Sequence, residues 1–376
     1  MYSNINSIVR CETMEVPVLL LIPSLMCGGA ERVLISLAND LHSKGYQVTL
    51  VSINSETPAY LINDGINTVY LVKRKYNTIV YRIYYGITIL YKLVALLLEI
   101  KPTCVISFIT SANVFIGLAS CFTGTKYIVS ERTSPNRTIN KLGYLHKIVA
   151  AMVYKRAKAV VVGCKGIEQC LLSNNSFKSL NNIHKIANSF SEFGPIGNKL
   201  VHERKFILAV GRLTYVKGFD ILIEAFGKCN IEDLDLLIVG DGEELTNLML
   251  LIKRFGLGKR VFLLGAKTNL QDFYSQAEQF VLPSRNEGYP NALIEAMSFG
   301  CPCIASNCEF GPSEIISHGH NGILVPLEDT NSLAESIIRL HHNPELRASL
   351  SIQSSLIKKT NDPHQLFKKW EDLVIL

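Results

Sequence analysis

The long apolar stretch near residues 75–102 lacks an uncharged run sufficient to cross a bilayer, because Arg82 and Lys92 interrupt it. The longest uncharged piece there, Ile83 to Tyr91, falls well short of a span. The ten cysteines have no CxxC spacing. Cys301 and Cys303 flank Pro302 without a nearby histidine, so they read as reduced structural thiols. No low-complexity segment, short repeat or recognised nucleic-acid module occurs, and nucleic acid is not expected as a partner. The start, MYSNINSIVR, is polar and unlike a secretory leader, which suggests the cytosol.

What is present is a folded composition, 48% apolar and 19% charged over 376 residues, enough for two cores. The charge is uneven. Residues 1–200 carry 21 Lys and Arg against 10 Asp and Glu, whereas the remainder carries 17 against 22. A first half facing an anionic membrane surface or a phosphorylated acceptor is the functional reading of that asymmetry.

Apolar strands alternate with helical patterns along the chain. Val16 to Pro23 reads as a buried parallel strand. Gly28 and Gly29 follow, then an amphipathic helix ending near Gly45. Glycines between a strand and a helix start allow a diphosphate to approach, although a simple tight turn has the same pattern. A helix with the stripe Ile79, Ile83, Ile87, Leu90, Val94 and Leu97 is expected to pack mostly on a sheet, with its aromatic and basic end a possible headgroup contact. Further strands are expected at Cys104–Ile109, Tyr127–Ser130, Ala159–Gly163 and Lys185–Phe190. Glu131 and Arg132 follow the second of these, where open α/β sheets bind ligands. They are candidates for a sugar or acceptor pocket; the plainer alternative is an ion pair between them. Residues 137–158 form a basic helical segment suited to anionic lipid or to ordinary solvation.

The pattern restarts with Phe206–Val210. Arg212 and Lys217 lie beside Gly211 and Gly218 before a helix start, an arrangement suited to a diphosphate. Asp233 and Asp235 resemble a metal motif but run into a strand, and no metal or other cofactor is expected. Near residue 281 a strand leads to a loop with Glu287, then to a helix carrying Glu295 eight positions on. The N–H groups of Asn291, Ala292 and Leu293 lie at that helix start, where a phosphate is favoured. Strands separated by helices at this spacing indicate doubly wound parallel sheets. The expected division is 1–192, a linker at 193–203, a second domain at 204–360, and a closing helix at 361–376 packed across both.

The ordered series Gly28–Gly29–Ala30–Glu31, GRLTYVKGFDILIEAF, VGDGEE and Glu287 with Glu295 resembles the retaining glycosyltransferases of family 4. FGPSEII and NGILVP add to the likeness, which extends over nearly the whole chain. The resemblance implies an α/β GT-B fold, two Rossmann-like parallel-sheet domains facing across a cleft, with a nucleotide sugar bound between them. It implies catalytic roles for Arg212 and Lys217 against the leaving diphosphate and for Glu287 at the donor sugar. Gly28, Gly29, Asn291, Ala292 and Leu293 would lie near the phosphates, and Glu295 would take the ribose. Ser130–Glu131–Arg132 stands where many relatives carry a histidine motif. The wording SERTSP and AERVLISLANDL resembles members that extend lipid-linked saccharides from UDP-hexoses or UDP-N-acetylhexosamines. That subgroup implies a peripheral enzyme at the inner face of a bacterial plasma membrane. The alternatives are a nucleotide-sugar 2-epimerase and a non-catalytic binding subunit.

Overall fold

The computed structural model describes residues 16–26, 28–54, 58–73, 78–191 and 193–375. The polar start read as lacking a leader lies outside them. Among the described residues, thirteen strands make two parallel sheets. The first contains β1 (Pro17–Ile22), β2 (Gln47–Asn54), β3 (Asn67–Val72), β4 (Cys104–Phe108), β5 (Tyr127–Glu131), β6 (Ala159–Val162) and β7 (Ile183–Lys185), in the order β3-β2-β1-β4-β5-β6-β7. The second contains β8 (Lys205–Val210), β9 (Leu234–Val239), β10 (Val261–Leu263), β11 (Gln279–Leu282), β12 (Cys303–Ser306) and β13 (Ile323–Val325), in the order β10-β9-β8-β11-β12-β13. Both orders reverse direction beside their first strand. Such switch points form a crevice beyond the strand carboxyl ends.

The strands are apolar on both faces because helices cover both sides. In β4 and β6 every residue is buried. One layer of the first domain rests on Leu19, Leu21, Val105 and Val129, the other on Leu20, Ile22, Ile106 and Ile128. β7 ends at Lys185, where the expected strand begins; the chain beyond it is irregular and supplies polar groups to the cleft instead.

Two expectations about helices need adjustment. The closing segment touches the second domain at its start, where Asn361 donates to Tyr289 Oη, and its helix Pro363–Ile375 packs on the first domain. Leu366, Phe367, Trp370, Leu373 and Val374 join the core of the first domain. The chain therefore crosses between domains twice, near 186–204 and again near 361. The helix Ile79–Ile100 is also less covered than expected. Over Tyr81–Ile100 its mean hydropathy is 1.7, which by length and composition would suffice to cross a membrane despite its charges, and 17% of that apolar window is buried. Ile89, Leu93 and Leu97 pack inward, whereas Ile83 and Ile87 of the expected stripe are 61% and 64% exposed. A helix apolar nearly all round gives its periodicity no clear phase. Leu145 of the basic segment is exposed as well.

Candidate active site

The first-domain part of the cleft is the loop after β1. A Cβ on Gly28 would lie 3.0 Å from Arg212 Nη2 and collide with the Glu31 carboxylate. One on Gly29 would lie 3.2 Å from Asn291 Nδ2. Close approach favours glycine here: Glu31 of the same helix crowds Gly28, and Arg212 and Asn291 of the second domain stand just inside ordinary contact distance. Asn291 Nδ2 donates to Gly29 O at 3.0 Å, tying this loop to the opposite helix start.

The second-domain part begins after β8. A short 3-10 turn, Tyr215–Lys217, ends at Gly218, whose φ is +66°. A side chain at Gly218 would run into Pro283 O, so the loop is seated against the end of β11. This seating brings Lys217 Nζ to 2.6 Å from Glu287 Oε1. Ser284 Oγ donates to the same oxygen at 2.7 Å. The helix Asn291–Ser298 then starts at the cleft and buries Glu295 one turn in. Glu295 Oε1 accepts from Arg32 Nη1 at 2.5 Å and Ser191 Oγ at 2.7 Å; Oε2 accepts from Tyr274 Oη at 3.0 Å.

Arg212, Lys217, Glu287, Asn291 and Glu295 thus gather on the second-domain wall, opposite Gly28 and Gly29. Ala292 is half-buried and Leu293 is fully buried in the core behind that wall. This constellation can offer cations to a diphosphate, backbone N–H groups to its oxygens, and carboxylates to hydroxyl groups.

Glu131 and Arg132 do not join it as a pocket. Glu131 has no exposed surface, and its carboxylate accepts from Thr110 Oγ1 at 3.0 Å, from Asn113 Nδ2 at 3.1 Å and from Tyr154 Oη, all of its own domain. Nor do the two pair with each other. Arg132 turns the other way, donating to Ser130 Oγ, Ile186 O and Asn188 Oδ1. Asn188 in turn donates to Tyr289 O and Asn291 Oδ1, so Arg132 supports the cleft from behind. Nothing local in the sequence signals the inward turn of Glu131, because its donors come from two other helices.

Burial raises the Glu131 carboxyl from 4.5 to about 7, with its hydrogen bonds opposing that shift. The folded protein therefore holds an extra proton between those values, and the stability this contributes declines as pH rises through that window. Glu131→Gln is expected to remove the decline. Relative to wild type it gains on the order of 3 kcal/mol between pH 4.5 and pH 8. Urea midpoints of both proteins across that range check it, and parallel pH profiles count against it.

Sequence reasoning did not find Arg32, Asn188, Ser191 or Tyr274. Arg32 alone had a signal, its place directly after the glycine motif. Asp235, in the suspected metal motif, is buried and bonds His202 and Arg260 in a structural ion cluster. Among the described residues no three His, Cys, Asp or Glu side chains converge as metal ligands.

Two family models match, in the order of the two domains: "Glycosyltransferase Family 4" over residues 27–189 and "Glycosyl transferases group 1" over 195–355. The chain is 31% identical over 351 residues to an uncharacterized glycosyltransferase of Haemophilus influenzae, covering 92% of this chain and 96% of the relative. It is 27% identical to an N-acetylgalactosaminyltransferase of Campylobacter jejuni that acts on an N-acetylgalactosamine-N,N'-diacetylbacillosaminyl-diphospho-undecaprenol, covering 90% and 94%. Anabaena HepE, solved in complex with UDP and glucose, shares the fold with a TM-score of 0.75 at 18% identity, covering 96% of this chain and all of that one. Likeness to a glycosyltransferase over almost the full length of both chains, with each half matched in order, places this chain in the glycosyltransferases of family 4, with the GT-B architecture of two facing parallel-sheet domains.

Proposed function

We propose that this glycosyltransferase moves a sugar from a UDP-hexose or UDP-N-acetylhexosamine to a hydroxyl of a lipid-linked saccharide in bacterial surface polysaccharide synthesis, retaining the anomeric configuration. The observation that carries the reading is the meeting of the Gly28–Gly29 loop with Arg212 and Asn291 across the cleft. That juncture supplies cations, a helix start and backbone space for a diphosphate.

In this reading Arg212 and Lys217 neutralise the departing nucleotide diphosphate, assisted by N–H groups at Asn291–Leu293. Electrostatic stabilisation of that leaving group lowers the barrier. Glu287 takes hydroxyls of the donor sugar, and Lys217 and Ser284 hold it in place. Glu295 takes the ribose hydroxyls. The acceptor hydroxyl attacks from the face that the diphosphate leaves: its bond to the sugar's anomeric carbon forms as the bond from that carbon to the diphosphate breaks, and the hydroxyl proton passes to the departing phosphate oxygen. Closure of the two domains keeps water from competing. The UDP and glucose bound by HepE, and the undecaprenol diphosphate in the name of the Campylobacter relative, support the donor and acceptor classes.

The test is a panel of UDP-sugars with short lipid-diphosphate saccharides, followed by determination of the new linkage. An α-linked product from an α-linked donor is expected. An inverted product would overturn retention. Turnover of the nucleotide sugar to its epimer without an acceptor would overturn transfer.

The acceptor class also calls for a membrane surface, and one helical layer of the first domain has the composition for it. Between Ile79 and Lys158 there are 11 Lys and Arg against two acids, Glu99 and the buried Glu131. Tyr84, Ile87, Tyr91, Leu98, Phe122, Tyr144 and Leu145 are exposed in the same span. Apolar side chains among cations suit an anionic bilayer interface. Wild-type protein is expected to float with vesicles containing anionic lipid. The pair Ile87→Glu and Tyr91→Glu should cut that binding about tenfold without changing the thermal midpoint. Equal flotation of wild type and variant would rule this face out.

A further inference from the structure

Arg32 is a cleft cation to which the proposed chemistry gives no task. It lies on the helix Gly29–Ser43, directly behind the glycine loop. Its guanidinium reaches across the domain boundary to Glu295, 263 positions away in sequence. Glu295 is almost completely buried, and its three donors come from three separate places. Arg32 belongs to the first domain, Ser191 to the crossing between domains, and Tyr274 to the second domain. Only Arg32 brings a charge. Loss of the charged partner of a buried carboxylate is costly.

Arg32 is itself held from the phosphate side of the cleft. Its guanidinium lies 4.8 Å from the centre of the Tyr60 ring. The Tyr60 hydroxyl donates to Gly28 O at 3.1 Å and accepts from Gly28 N–H at 3.2 Å. A continuous set of contacts therefore runs from the glycine loop through Tyr60 and Arg32 to Glu295. A carboxylate has about four acceptor positions. Arg32 and Ser191 take two on Oε1 and Tyr274 takes one on Oε2, fixing the plane in which the carboxylate meets a further hydroxyl.

We propose that Arg32 is a positioning residue for the donor nucleotide: from the first domain it sets the orientation of Glu295, so that the ribose is recognised fully only when the two domains are together. This rests on the assignment of Glu295 to the ribose hydroxyls. Separation of the domains withdraws Arg32 with its helix and leaves Glu295 without its cation. Ribose recognition and closure are thereby coupled, and each favours the other. An interdomain ion pair with no positional role would instead strengthen closure for every nucleotide alike.

The experiment compares dissociation constants of UDP and 2′,3′-dideoxyuridine diphosphate for wild type, Arg32→Gln, Arg32→Lys and Glu295→Gln, with kcat at saturating donor. Wild type is expected to prefer UDP by about tenfold or more, the loss of hydrogen bonds to a charged group. Arg32→Gln should lose most of that preference, weakening UDP far more than the dideoxy analogue. Arg32→Lys, which keeps the charge, should restore part of it. At saturation kcat should change less than about threefold, because the effect lies in binding. Equal weakening of both nucleotides by Arg32→Gln would overturn the positioning role. If Glu295→Gln abolishes the preference while both Arg32 variants keep it, the ribose assignment stands and Arg32 alone is excluded. If Glu295→Gln keeps the preference, the ribose assignment fails and the proposal fails with it. A wild type that binds neither nucleotide, or both equally, overturns both.

Discussion

Lys217→Ala is expected to lower kcat by about two to three orders of magnitude, the cost of removing one preorganised group facing charge that develops in a transition state. The lysine is well placed for such an effect. Its turn is pinned through Gly218 against the end of β11, so the ammonium need not be ordered as reaction begins. It also holds Glu287 at 2.6 Å. Removal leaves that carboxylate with the Ser284 hydroxyl as a donor, and the sugar contact loosens together with the phosphate contact. Arg212 remains, so activity falls without vanishing. Lys217→Arg is not expected to restore wild-type turnover, because a planar guanidinium cannot reproduce a compact ammonium in this turn. Steady-state rates with donor and acceptor both saturating are the measurement. An unchanged kcat would remove Lys217 from the leaving-group role.

Trp370→Ala should cost about 3–5 kcal/mol of folding stability, the range for deleting a large buried aromatic side chain. Trp370 is 1% exposed, and its ring centre lies 5.4 Å from that of Phe108. Between them the two rings also cover Arg132, at 5.3 Å and 4.9 Å from its guanidinium carbon. That arginine is buried among neutral acceptors, and burial pushes its pKa down to about 9. Its Nη2 has no hydrogen-bond partner. The aromatic faces are thus a principal source of favourable electrostatics for its charge. Alanine would open a cavity and expose that charge to an unpaired interior. Trp370→Phe should retain most of the stability. Trp370 is the sole tryptophan, so unfolding must be followed by far-ultraviolet circular dichroism rather than tryptophan fluorescence. A loss below about 1 kcal/mol would contradict the place of this helix in the first core.

Most of the frame was readable from the chain because its strongest signals are local. Runs such as Val18 to Ile22 and Leu236 to Val239 read as strands covered on both sides, and the helices between them follow from amphipathic spacing. The second-domain wall was readable for the same reason. Arg212 and Lys217 lie in one loop, and Glu287 and Glu295 lie on one loop and helix. What escaped depends on residues distant in sequence. Glu131 sits at a strand end that commonly faces a ligand, yet Thr110, Asn113 and Tyr154 draw it inward. Arg32 and Glu295 meet only because two sheets of equal topology face each other. The outward face of Ile79–Ile100 could not be phased, since apolar residues surround that helix nearly completely.

The placement of the Pro363–Ile375 helix has a consequence for how the protein is made. Its side chains complete a hydrophobic core whose other members, from Val18 to Ile186, leave the ribosome much earlier. The intervening stretch encodes the whole second domain. Synthesis therefore yields a first domain whose groove over Phe108 stays open while its neighbour is translated, so its core closes only after the chain of the second domain has been made.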